Sequence, residues 1–429
     1  MHYFSTNRIS PTASFREAVL AGQPADRGLY FPSEIPKLGR DLLENLTELD
    51  NAAIAFEMIR PFVNGDIPDD ELSRICSETV NFDFPLVKVT ESIYVLELFH
   101  GPTLAFKDVG ARFMSRCLQH FVKDRSEKTF VVVATSGDTG GAVAASFHGL
   151  KDVEVIILFP KGGVSEVQEL QLTTLGGNVT TLELRGTFDD CQSLAKTALA
   201  DAHLQSKANL TSANSINPAR WLSQQFYYAF ALKQWEHEPP VFSVPSGNFG
   251  NLAAGLLAHA SGLPSDGFIA ACNANDVVPR YLTGGKYEPR PSIPTLSNAM
   301  DVGAPSNWVR VLEILGNKVG STSSQLSAVS ISDKETAETM REVYGETGYA
   351  LDPHGAVAYR ALHDRLSAVG GRGILLETAH PAKFDSVADI LGSMPTQPPH
   401  IKELYARERS SITIDNDYGE LREIITSKI

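Results

Sequence analysis

Six short apolar runs, each closed by a turn and followed by a stretch of helical periodicity, constrain this chain more than any other feature. The runs cover residues 129–135, 153–159, 179–184, 241–244, 268–272 and 373–378. They are nearly continuous in apolar residues, as strands covered on both faces must be. Between them lie helical patterns such as 109–122, where Val109, Phe113, Met114, Cys117, Leu118 and Phe121 recur at spacings of three and four. Strand and helix in alternation make βα units, so the expected fold class is α/β with parallel sheets.

The rest of the chain is organised around that region. Residues 1–85 show helical patterns at 14–21 and 71–79, with Pro24, Pro32, Pro36 and Pro61 expected as breaks. Thr187 three residues ahead of Asp190 resembles a capping box and opens a helix expected to run to about His203. The Pro, Gly, Asn and Ser content of 279–306 reads as a long loop. The expected division is an N-terminal domain at 1–85, a two-lobed catalytic region at 86–390 and a C-terminal segment at 391–429. At 429 residues the chain is long enough for two or three folding units.

Charge and cysteine usage exclude several classes. The chain carries 37 Lys and Arg against 51 Asp and Glu, a net charge of -14. A general nucleic-acid or anionic-membrane surface is therefore disfavoured, and an anionic ligand needs a locally positive pocket. The four cysteines, Cys76, Cys117, Cys191 and Cys272, are far apart with no CxxC pair. They read as buried free thiols rather than as a zinc cluster or a disulfide framework. The polar start of the chain lacks the apolar core of a signal peptide and no stretch approaches a membrane span, so the expected location is the cytoplasm.

Three turns directly follow predicted strands, where ligands collect in open parallel sheets. Thr135-Ser136-Gly137-Asp138-Thr139-Gly140-Gly141 offers hydroxyls and helix-start N–H groups to a carboxylate, and equally suits a plain capped turn. Ser246-Gly247-Asn248-Phe249-Gly250-Asn251 lets the backbone approach an anion closely ahead of an apolar helix, which suits phosphate. It has neither the Walker A nor the GxGxxG spacing. Glu377-Thr378-Ala379-His380-Pro381 aims a neutral hydroxyl into the same crevice, with His380 and Pro381 fixing the turn. Lys107 follows the apolar run Leu104-Ala105-Phe106 at a helix start, where desolvation and the dipole both disfavour its ammonium form. A neutral amine suits Schiff-base chemistry, while a surface lysine resting on apolar neighbours explains the same pattern. Asn214, Ser215 and Arg220 gather amide, hydroxyl and guanidinium groups around a helix start, a clamp for a second phosphate or simply a cap.

Taken in order, the stretches 97–108, 135–140, 214–218, 245–250, 296–301 and 378–384, with Arg27 to Pro32 near the N-terminus, resemble the threonine synthases of bacterial and fungal type across nearly the whole chain. The resemblance implies a tryptophan synthase β-like fold of two α/β lobes and a family-specific N-terminal domain. It implies pyridoxal 5'-phosphate as cofactor, Lys107 as the lysine that carries it, and Ser246, Gly247, Asn248, Phe249 and Gly250 around its phosphate. Thr378 would face the pyridine nitrogen, leaving the ring largely unprotonated. Asp138 would lie beside the cofactor, where related folds often carry Asn. Thr135, Ser136 and Thr139 would hold the substrate carboxylate, and Asn214, Ser215 and Arg220 its phosphate. The implied reaction converts O-phospho-L-homoserine and water to threonine and phosphate in a monomer or small homo-oligomer. Two rivals share the fold: a serine or threonine dehydratase, which needs no phosphate clamp, and a non-catalytic homologue that binds the cofactor.

Overall fold

The computed structural model describes residues 1–123, 125, 127–316 and 325–429. The six runs read above are strands of its two main sheets, each within a residue of the expected ends, and strands that the sequence reading did not single out join them. One sheet has the strand order Ile412–Ile414, Val179–Leu184, Val153–Pro160, Thr129–Ala134, Asn209–Ser212, all parallel. The other runs Leu326–Ser330, Gly267–Cys272, Val241–Pro245, Gly373–Glu377, Ile93–Glu97, Leu86–Lys88, parallel except for the last pair. Every residue of Thr129–Ala134 is buried, which is why its sequence has no polar face.

The helix Lys107–Val122 buries the full stripe of Val109, Phe113, Met114, Cys117, Leu118 and Phe121. Full burial of each large apolar side chain contributes about 1.5–3 kcal/mol. All four cysteines are buried and free. The Thr187 capping box is present, with the Thr187 hydroxyl accepting from the Asp190 N–H and the Asp190 carboxylate accepting from the Thr187 N–H.

Three expectations about helix limits are corrected. The helix opened by Thr187 ends at Ala200 instead of near His203, because Asp201 turns extended and its carboxylate caps a second short helix, Ala202–Gln205. Pro61 does not break the N-terminal region but lies in the last turn of Asn51–Val63, which ends at a left-handed Asn64. Pro279 is the third residue of the helix Val277–Gly284, so part of the expected loop is helical. A first-turn proline removes only an N–H that has no intrahelical partner.

The N-terminal region closes on itself by pairing Tyr3–Ser5 antiparallel with Tyr30–Pro32. Asp26 fixes the intervening turn by accepting from Ser5 Oγ and from the N–H groups of Gly28, Ile9 and Ser10. Its carboxyl is held well below the ordinary range, since these donors together outweigh the desolvation that would raise it. At the other end of the chain, Ile412–Ile414 adds an edge strand to the first sheet, and helix Tyr418–Thr426 packs on Phe188–Ala200.

Candidate active site

The loop before Lys107 is laced to the end of strand Gly373–Glu377. Leu98 donates its N–H to Glu377 O, Phe106 to Thr378 O at 2.9 Å, and His380 to Leu104 O. This places the first residue of helix Lys107–Val122 beside Thr378. Burial pulls the Lys107 amine down to about 8; nearby Asp138 opposes the shift, while Lys383 and Arg220 reinforce it. The Thr378 side chain is buried, and its hydroxyl has no hydrogen-bond partner among the described residues.

Asp138 opens the helix Asp138–Phe147 that follows strand Thr129–Ala134. One carboxylate oxygen accepts from Lys383 Nζ at 2.7 Å and from Gln168 Nε2 at 3.0 Å, and the other lies 3.9 Å from Lys107 Nζ. Burial would raise the Asp138 carboxyl, but Lys383 first and Lys107 second hold it well below the ordinary range. Gly137 makes the arrangement possible: its φ is +128°, and a Cβ there would meet Gln168 Cδ at 2.3 Å. Thr135 turns its hydroxyl inward, accepting from the N–H groups of Gly137 and Gly140 at 2.9 and 2.8 Å. Ser136 and Thr139 are part-exposed, without side-chain partners among the described residues, and remain free to meet a ligand.

The turn Ser246–Gly250 follows strand Val241–Pro245 and opens helix Gly250–Ser261. Ser246 Oγ donates back to Val244 O, whereas Asn248 Oδ1 accepts from both the N–H and the hydroxyl of Ser306. Phe249 is left-handed at φ 62° and packs edge-on against Trp308. Gly247 lies so flat on the 296–301 stretch that a Cβ would stand 2.6 Å from Met300 Cα. Asn251 accepts from the Tyr228 hydroxyl, and its buried Nδ2 has no partner among the described residues. A buried amide left open at the head of a helix is a donor awaiting an acceptor.

Asn214 and Ser215 lie beside these turns, while Arg220 reaches the adjoining Ala213 O and packs against Gly110. Asn214 Nδ2 donates to Ala134 O at 2.9 Å, next to the Thr135 turn. Ser215 Oγ accepts from Asn307 Nδ2, and Asn307 and Ser215 both lie against Gly250. Arg220 is fully buried, donates one N–H to Ala213 O and keeps a buried Nε with no partner; burial pushes its guanidinium down to about 10. A cavity of about 400 Å³ opens on Asn214, Ser215 and Asn248, with Arg27 and Lys196 also on its wall.

Sequence reasoning missed Lys383 and Gln168. Lys383 sits inside Pro381–Lys383, a turn capped by His380 as expected, with the ring nitrogen accepting from the Ala382 N–H. The signal was the one that marked Lys107, a lysine set among apolar residues. Gln168 is half of a capping box with Ser165, a local pattern the sequence carries, and its amide nitrogen additionally reaches Asp138.

These residues fit a group that carries a phosphate and reacts with an amine. They provide a glycine turn with an open buried amide on one side, and on the other a desolvated lysine beside a carboxylate. The family model "Pyridoxal-phosphate dependent enzyme" matches residues 82–376, "Threonine synthase N terminus" residues 2–80 and "Threonine synthase, C-terminal" residues 355–425. A curated relative from Serratia marcescens, named threonine synthase, is 44% identical, with 99% of each chain covered. The crystal structure of threonine synthase from Escherichia coli superposes with a TM-score of 0.94 at 42% identity, covering 100% of both chains. That of a PLP-bound threonine synthase from Brucella melitensis gives 0.92 at 36% identity, covering 100% of this chain and 99% of the other. From its N-terminal pairing to its C-terminal edge strand, this chain belongs to the threonine synthase family of pyridoxal-phosphate-dependent enzymes.

Proposed function

We propose that the protein converts O-phospho-L-homoserine and water to L-threonine and phosphate, with Lys107 as its catalytic lysine. The observation that carries this reading is the Lys107 amine, drawn down to about 8 by desolvation, 3.9 Å from Asp138 and one residue beyond the Phe106 N–H that donates to Thr378 O. Pyridoxal phosphate, when bound, supplies an aldehyde for amines and a ring that takes up electron density from the substrate carbons.

The chain's residues have distinct tasks in that reading. Backbone N–H groups of Gly247 to Gly250 and Asn251 Nδ2 would hold the cofactor phosphate, with the dipole of helix Gly250–Ser261 in place of a cation, while Ser246, whose N–H is donated to Ala271 O and whose hydroxyl is donated to Val244 O, shapes the turn. Thr378 presents a neutral partner to the ring nitrogen, and Asp138 stands beside Lys107. The part-exposed Ser136 and Thr139, with the turn that Thr135 braces, receive the substrate carboxylate. Asn214, Ser215 and Arg220 receive its phosphate, where the desolvated guanidinium offsets the charge that builds up as the γ carbon–oxygen bond breaks. Lys107 takes the α proton and then a β proton, which lets phosphate leave the γ carbon, and it delivers a proton to the γ carbon, a task suited to an amine whose pKa lies near the working pH. Water then adds at the β carbon, and a proton returned to the α carbon completes threonine. The same reading places the reaction in the cytoplasm, in a monomer or small homo-oligomer without a nucleic-acid partner, in keeping with the net charge of -14.

Incubation with O-phospho-L-homoserine, followed by NMR, tests the reaction. Threonine and phosphate are expected in equal amounts. No threonine from protein that keeps its cofactor absorbance would refute the synthase reading and favour a dehydratase.

A further inference from the structure

The buried lysine Lys383 has no task in the reaction as described. Its side chain is wholly inaccessible to solvent, and its ammonium is held at 2.7 Å from Asp138 and at 2.8 Å from Thr103 O, to which it donates. A fully buried ammonium costs several kcal/mol unless it is paired, so its presence calls for a physical reason. The geometry supplies one. Lys383 and Gln168 share one Asp138 oxygen at hydrogen-bond distance, while Lys107 stands 3.9 Å from the other, at the outer limit of an ion pair. With Lys107 neutral, Lys383 and Asp138 balance. A proton on Lys107 adds an uncompensated charge beside a second buried cation, Arg220.

We propose that Lys383 is a positioning residue that monopolises Asp138 and so denies Lys107 a counter-ion, keeping the catalytic amine ready to lose its proton. The charged groups acting on Lys107 are Asp138, which favours its ammonium form, and Lys383 and Arg220, which oppose it. Lys383 also acts on Asp108 and on His380. The inference rests on the reading of Lys107 as the cofactor lysine.

The test is a set of three variants of the cofactor-loaded enzyme, K383M, D138N and D138N/K383M. Two readouts are followed from pH 5.5 to 10: the acid limb of kcat and the visible absorbance of the bound cofactor. In K383M the Lys107–Asp138 pair faces no second cation and holds its proton longer, so both midpoints should move up by about one pH unit, a tenfold change in proton affinity. In D138N, Lys107 faces only cations and the midpoints should move down. The double variant should return close to the parent, a reversal that general loss of packing does not produce. Unmoved midpoints in K383M, or a double variant no closer to the parent than K383M, overturn the proposal. If K383M does not fold, the nearly isosteric D138N decides alone: a midpoint that fails to fall overturns it. Borohydride reduction and peptide mapping of the same preparations separate the two failures. A mark on Lys107 with unmoved midpoints defeats only the role of Lys383, whereas a mark on another lysine defeats both readings.

Discussion

Replacing Arg220 by methionine removes a buried cation while nearly preserving its volume, and the structure sets opposite expectations for activity and stability. Burial pushes the Arg220 guanidinium from an ordinary 12.5 down to about 10. At 1.36 kcal/mol per pH unit the shift corresponds to about 3 kcal/mol of lost solvation. A substrate phosphate that pairs with the guanidinium restores a comparable amount, so R220M should lower kcat/KM by about 10²- to 10³-fold. The desolvation cost is fully present below pH 10, where the group is charged, and fades only as pH rises through the folded-state value. Substrate-free R220M therefore loses that cost at neutral pH. Against this stands the Ala213 carbonyl, left without its donor at a cost of about 1–2 kcal/mol. The variant should melt no lower than the parent and retain its cofactor. Phosphate release against substrate concentration and a thermal melt read both quantities. A kcat/KM within threefold of the parent, or a loss of activity matched by a fall in melting temperature, would refute the reasoning.

G247A should weaken cofactor binding about tenfold or more, because its Cβ meets Met300 Cα at 2.6 Å and backbone must shift; absorbance titration with pyridoxal phosphate measures it. In the unaltered enzyme kcat should rise with pH through about 8, the value at which the Lys107 amine loses its proton, and fall about tenfold per unit well below it. R310K should cost about 2–4 kcal/mol in denaturant unfolding and raise KM. The buried Arg310 guanidinium serves Tyr30 O, Ser215 O, Ile216 O and Asn307 Oδ1 at once, a reach an ammonium cannot match.

What was legible in the sequence follows from how each element is buried. Six interior strands declared themselves because both faces are covered and the runs are largely apolar, while a seventh, Ile93–Glu97, went unread. The edge strands Leu326–Ser330 and Ile412–Ile414 did not: they are short and largely exposed, and their pairing is set by a neighbour distant in sequence. Pro61 and Pro279 misled because proline breaks a helix by position, and these two sit in a last and a first turn. At the site, the turns and Lys107 were readable because strand ends carry ligands in this architecture. The inward hydroxyls of Thr135 and Ser246 were not, since each is committed to a backbone partner that only the folded turn defines. Lys383 and Gln168 escaped for a related reason. Their roles lie in contacts with Asp138, which no local pattern reports.

The electrostatics of the site run against those of the whole chain. Fifty-one acidic residues against 37 basic ones would repel a doubly charged phosphate if the protein acted as one smooth charge. Solvent screens that excess beyond about 8–10 Å, while charges held inside the crevice act across a poorer dielectric. There Lys107, Lys383 and Arg220 are gathered against Asp138 and the buried Asp108, a local concentration of cations that the whole-chain charge conceals. The cofactor turn contributes no cation, only backbone N–H groups, a helix dipole and an open amide. Fixed dipoles suit a phosphate that stays in place, whereas a costly, desolvated guanidinium suits one that departs, because its pull grows as the leaving group gathers charge. The division also explains why Lys383 must be paired with Asp138. A second unpaired cation would hold released phosphate in the site, and an unpaired Asp138 would take the proton-transfer amine out of use.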